Sequence, residues 1–251
     1  IRQAFVKVGI GAEKKSKVIS EKEKKITAYH EAGHAILFHL LPNMGPVHTI
    51  SIIPTGLGAA GYTMPLPEAD EMFNSKNKML ENIVVDLGGR VAEELIFNDV
   101  TTGASQDIKQ ATQLARAMVT QYGMSAKFGL MGLETIQNRY LDGRAVLNCG
   151  EETESQIDGE VMKILDHCYE EAKKIIREHQ EVLKKLAAHL IEKETITGKK
   201  FVEIFENETG IKLKKKDAEG KIIEEPAQET ETETPAAEID AEDSVTVEEN
   251  E

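Results

Sequence analysis

The chain has 251 residues with 44 acids against 30 Lys and Arg, a formal net charge of −14. From Asp217 to Glu251 there are 14 acids and one base, Lys221, so this stretch carries −13 and residues 1–216 about −1. The near-neutral remainder offers no basic surface for nucleic acid, no run of about 18 apolar residues marks a membrane helix, and Cys149 and Cys168 form no C-x-x-C pattern. So few thiols fit a reducing, intracellular setting.

Residues 1–19 read as the end of a helix and a basic link containing Gly9, Gly11, Lys14, Lys15 and Lys17. The glycines lack the G-x-x-x-x-G-K-[ST] context of a phosphate-binding loop, so no nucleotide site is expected there. The chain starts at Ile1 without a Met and is expected to be a piece of a longer one, with a membrane anchor or another domain upstream.

Ser20-Glu21-Lys22-Glu23 has the pattern of a capping box, and Ile26, Tyr29, Ala32, Gly33, Ile36, Leu37, Leu40 and Leu41 follow at helical spacing until Pro42 and Asn43. The spacing predicts an apolar-faced helix of about 20 residues. Inside it stands His30-Glu31-Ala32-Gly33-His34, an H-E-x-x-H word. Residues four apart on a helix share a face, so both imidazoles can grip one cation. Glu31 lies on the flank, within reach of a water that a zinc ion would bring to a pKa of roughly 7. The plainer alternative is two histidines satisfied in a helical core with a surface glutamate between them.

Val47–Ile53 alternates as a strand, Gly56–Gly61 forms a turn, and Tyr62–Leu66 reads as a second strand. Gly58, Ala59, Ala60, Gly61, Tyr62 and Thr63 are candidates for an exposed edge on which an extended peptide could add as a further strand. An ordinary hairpin with a flexible tip fits the same residues. Asn77–Phe97 is a second buried helix, in which Gly88 and Gly89 cost roughly 1 kcal/mol each and call for the close approach of another helix. Projected at 100° per residue, Glu94 falls on the apolar face and Glu93 opposite it.

Thr101–Asp107 is a turn-rich entry to a helix over Ile108 to about Tyr122, so Asp107 lies in a first turn, where the plainer alternative to ligation is an acid placed to complement the helix dipole. Gly123–Gly150 reads as irregular. Two long helices follow from about Glu152, striped by Ile157, Val161, Ile164, Leu165, Cys168, Ala172 and Ile175, then by Val182, Leu183, Leu186, Ala187 and Leu190. Thr197 can cap a last short helix carrying Phe201, Ile204 and Phe205. His39, His48, His167, His179 and His189 read as structural or exposed. The tail over 211–251, with Pro226 and Pro235, has too little apolar matter to fold and is expected to be disordered.

A catalytic zinc usually takes three protein ligands plus water. Leu37 and Leu40 stand where the metzincin pattern needs Gly and His, so that class is excluded. A downstream acid must complete the set. By chemistry Asp86, Glu93, Glu94 and Asp107 all qualify, and spacing does not choose among them.

The run Ile19–Ala35, Gly88-Gly89-Arg90-Val91-Ala92-Glu93-Glu94, Thr102–Ile108 and Ala111–Arg116 together resemble the peptidase domain of the FtsH family, membrane-anchored ATP-dependent zinc proteases. The likeness covers about residues 1–208 and departs slightly at Leu147–Thr153. It implies a mainly α fold: a helical zinc-peptidase domain over 20–210, with a small β-hairpin or sheet beside the catalytic helix and a C-terminal helical bundle. It also implies that residues 1–19 end the lid of a preceding AAA ATPase domain. His30, His34 and Asp107 would bind Zn2+, Glu31 would be the general base, and an acid of the Ala92-Glu93-Glu94 segment would support the site. The family position maps to Glu93 and the helical projection favours Glu94, so both stay candidates. Further implications are a homo-hexamer at the cytoplasmic face of the membrane, ATP used by the upstream module, and unfolded or membrane proteins as substrates. A non-catalytic, zinc-stabilised hexamerisation module is the alternative from a different class.

Overall fold

The computed structural model describes residues 19–55, 59–65, 72–136 and 145–211. Expectations on residues 1–18, on Gly56, Leu57, Gly58 and Leu66, and on the tail from residue 212 lie outside the described residues.

The capping box forms as read: Ser20 Oγ accepts from the Glu23 amide at 3.2 Å while Glu23 Oε2 accepts from the Ser20 amide at 3.2 Å. It starts helix α1 (Glu21–Leu40), which ends ahead of Pro42. Strands β1 (Val47–Ser51) and β2 (Tyr62–Pro65) follow as an antiparallel pair, with Ile50 opposite Thr63 and Ser51 opposite Tyr62. Helix α2 (Lys76–Phe97) is capped by Ser75 and stopped by Asn98 in the left-handed region at φ 50°. A 3-10 turn over Thr102–Ala104 leads into α3 (Ser105–Thr120), so Asp107 is in the first turn, as the sequence indicates.

The stretch after α3 is more regular than its composition indicates, since β3 (Glu134–Ile136) and β4 (Ala145–Leu147) pair antiparallel within it. Strands of three residues carry too little periodicity to register in a sequence. Helices α4 (Glu151–Glu178) and α5 (Gln180–Lys193) come next, then β5 (Thr195–Thr197) and α6 (Gly198–Thr209), capped by Thr197. β5 was not foreseen. It pairs with β1 to give, among the described residues, a three-stranded sheet of order β2-β1-β5 with β2 and β5 as its edges.

The core sits between α1 and α2, which pack along each other. They approach so closely that a Cβ on Gly33 would stand 2.7 Å from the Gly88 carbonyl oxygen, and one on Gly88 2.6 Å from Leu37 Cδ1. This is the neighbouring helix that the glycine pair in α2 calls for. The C-terminal helices wrap the two: α4 packs on α2 and α3, α5 on α1, and α6 on α5 and β1. The α5 stripe Val182, Leu183, Leu186, Ala187 and Leu190 is buried as read, and on α4 Ile176, rather than Ile175, is fully buried. No helix of the described residues is long and apolar enough to cross a membrane.

Candidate metal centre

The i, i+4 spacing on α1 turns His30 and His34 the same way, and their Nε2 atoms stand 3.1 Å apart. Asp107 reaches them from the first turn of α3, with Oδ2 3.2 Å from His30 Nε2 and 3.8 Å from His34 Nε2. These three side chains form a cluster whose ligand atoms all lie within 4.8 Å of one another. Two sequence-distant helices thus converge on one point, and α2 lies between them as the platform.

Each imidazole is fixed from behind through its other nitrogen. His30 Nδ1 lies 2.8 Å from Glu93 Oε1, and His34 Nδ1 lies 2.7 Å from the Val85 carbonyl oxygen. With Nδ1–H donated backward in each ring, Nε2 is the nitrogen left to face Asp107, the atom that a metal would take in place of a proton. Gly89 makes room for this, because a Cβ there would stand 2.3 Å from His30 Cε1. Glu93 also accepts from the Thr101 amide at 2.8 Å, and Arg90 Nη2 donates to the Thr101 carbonyl at 2.8 Å. The turn that launches α3 is therefore pinned to α2, which sets the reach of Asp107.

Of the two adjacent acids on α2, Glu93 touches the site and Glu94 does not. Glu93 is 1% exposed, whereas Glu94 bonds to Tyr169 Oη and, at 2.7 Å, to Lys173 Nζ on α4. The helical projection favoured Glu94 because it assumed a single buried face. Helix α2 is covered on more than one side, by α1, α3 and α4, so the side opposite its most apolar stripe is also interior. Asp86, another candidate, lies near Asp107, and burial with that neighbouring charge pushes its carboxyl up to about 7.

Burial opposes charge on His30, but hydrogen bonding to Asp107 and Glu93 and the nearby Glu31 carry it up to about 10. His34 is pushed down to about 4 by burial and by the positive His30 beside it. Burial raises Glu31 to about 7, against the lowering effects of His30 and of the Thr63 hydroxyl. A buried carboxylate poised there suits a general base at neutral pH. Glu31, Glu93 and Asp107 crowd two imidazoles in a poorly solvated space, an excess of negative charge that one divalent cation offsets. The donor set of two imidazole nitrogens and one carboxylate oxygen, with both rings braced, fits zinc.

The proposed peptide edge lies alongside. Ala59 and Ala60 are exposed, Gly61 is buried, and Tyr62 and Thr63 are half-buried on β2. Thr63 turns its hydroxyl inward, 2.7 Å from Glu31 Oε2. The Val85 carbonyl and the Thr101 amide escape sequence reasoning altogether, because backbone groups leave no mark in side-chain spelling. The remaining histidines stay away from the cluster. His39 packs edge-on to Phe201 and Phe205, His48 bonds to Thr49 and His179 to the Ile175 carbonyl. Cys168 is buried, with its thiol pushed up to about 12.

Residues 17–204 match the model of peptidase family M41. The chain is 52% identical over 194 residues to an ATP-dependent zinc metalloprotease FtsH of Clostridium perfringens, covering 77% of this chain and 27% of that protein. It is 48% identical over 204 residues to one from Caldicellulosiruptor bescii (80% and 33%) and 46% identical over 209 residues to one from Thermotoga maritima (82% and 34%). The chain thus spans about a third or less of the length of these relatives. With the family model matching most of its length, the chain belongs to peptidase family M41.

Proposed function

We propose that this chain is a zinc-dependent endopeptidase domain, with His30, His34 and Asp107 as the zinc ligands and Glu31 as the general base. The observation that carries the reading is the convergence of three donor atoms within 4.8 Å beside the buried carboxylate of Glu31. When bound, zinc would supply a Lewis acid for the peptide carbonyl and lower the pKa of a water to roughly 7. Glu31 takes the proton of the attacking water and delivers it to the amine that leaves. Glu93 and the Val85 carbonyl keep both rings aimed, and Arg90 with Glu93 holds the turn that carries Asp107.

The substrate is an extended polypeptide laid along β2 and the preceding Ala59, Ala60 and Gly61. Pairing through backbone groups reads little sequence, which suits the breakdown of many unfolded chains. The relatives' names carry the words ATP-dependent, and this domain would be one part of a longer protein. An upstream AAA ATPase module would feed it unfolded and membrane proteins, in a homo-hexamer anchored at the cytoplasmic face of a membrane.

Replacing Glu31 with Gln tests the reading. Zinc should remain stoichiometric by metal analysis while cleavage of an unfolded, casein-like protein disappears. Retained turnover would remove Glu31 from the role of base. Chelation separates the enzyme from a purely structural zinc module: the enzyme loses activity and stays largely folded, whereas a module held together by metal melts or dissociates.

A further inference from the structure

Glu31 is held by more than its own helix. Thr63 Oγ1 stands 2.7 Å from Glu31 Oε2 and 3.0 Å from the Glu31 carbonyl oxygen. One hydroxyl has one proton, and the shorter distance and the negative charge direct it to the carboxylate. Two residues earlier the same segment passes the other carboxylate oxygen. A Cβ on Gly61 would stand 2.9 Å from Glu31 Oε1, and also 2.7 Å from the Ser51 carbonyl oxygen and 2.8 Å from Thr27 Cγ2. One oxygen is therefore bonded by β2, and the other lies against a backbone that tolerates no side chain.

The strand is itself well fixed. Thr63 lies opposite Ile50, whose side chain is fully buried, and β1 is tied on its far side to β5. A glutamate carboxylate turns readily about its last torsion, so a base on a helix alone would sample many orientations. Anchoring one oxygen removes that freedom and commits the other to the reacting water.

We propose that Thr63 is a positioning residue for Glu31, so that the strand offered to the peptide backbone also sets the orientation of the base. This rests on the peptidase reading above. It gives the Thr63 side chain the task of ordering a group that acts on the substrate, and leaves its backbone for pairing.

The test uses Thr63→Val, which keeps the shape and loses the hydroxyl, and Thr63→Ser, which keeps the hydroxyl, with Glu31→Gln as the control. Each is measured for kcat and KM on an unfolded protein, zinc content, melting temperature and the crystallographic position of the Glu31 carboxylate. Thr63→Val should lower kcat by roughly ten- to a hundredfold at unchanged KM and full zinc. Its Glu31 carboxylate should rotate or split over two positions, and Thr63→Ser should restore both. A Thr63→Val protein with kcat within twofold of the parent and an unmoved carboxylate overturns the proposal. So does a lowered melting temperature as the only change. If the isolated chain needs its upstream module to cut, the carboxylate position in Thr63→Val decides alone. Turnover surviving in Glu31→Gln would instead sink the peptidase reading, whatever Thr63 does.

Discussion

Helix α1 carries histidines at two places that could not be treated more differently. At His30 and His34 both ring nitrogens have a partner or a shared focus, and three acids lie close by. Beyond His34, His39 has a buried Nε2 with no hydrogen-bond partner among the described residues and a ring set against Phe201 and Phe205. The side chain is the same and so is the helix. What differs is the neighbour: α2 and the start of α3 present carboxylates and a carbonyl, while α6 presents two aromatic rings. A histidine becomes a ligand or a core residue according to what the facing elements bring.

That contrast breaks most sharply at Asp107. Changing it to Ala should cost stoichiometric zinc and all measurable cleavage, read by metal analysis and turnover. Full zinc with surviving activity would assign the third ligand elsewhere. Gly89→Ala comes next, because its Cβ would press into the His30 ring. A destabilisation of about 3 kcal/mol, read from the denaturant midpoint, is expected together with weaker zinc binding.

Glu93 and Glu94 sharpen the comparison within one helix. Glu93→Ala should weaken zinc binding by roughly ten- to a hundredfold in a competitive chelator titration. Glu94→Ala should leave zinc affinity unchanged and cost about 1 kcal/mol or less, since its partner Lys173 is partly solvated. Equal effects on zinc would mean that the two acids share the role.

His39 gives a pH signature. Burial lowers its folded-state pKa from 6.5 to about 4, so the unfolded chain takes up a proton more readily. The contribution of neutral His39 is complete above pH 6.5, declines as the pH falls from 6.5 towards 4, and is flat below that. Allowing for its partial exposure, about 1–2 kcal/mol should be lost across that window. In His39→Leu that share of the slope should vanish, as the difference between parent and variant unfolding curves from pH 7 to 4 would reveal. A slope identical in both would mean that His39 has the same pKa folded and unfolded, so that burial does not depress it.

Much of this was legible in the residues. The capping box, the length of α1, the H-E-x-x-H face, the Gly88 and Gly89 contact and the α5 stripe all follow from local spelling. The choice between Glu93 and Glu94 did not, because a one-faced projection fails for a helix enclosed on several sides. β5 and the β3–β4 pair were missed because three-residue strands show no period.

By itself the sequence determined that two imidazoles and a glutamate share a helix and that a near-neutral stretch over 1–216 is followed by an acidic one, since periodicity and charge are properties of neighbours along the chain. Only the tertiary structure decided which acid meets the histidines, which carbonyl braces His34 and that Thr63 reaches Glu31. Those are meetings across tens of residues, and they depend on how closely α1, α2 and the sheet approach rather than on how any one of them is spelled.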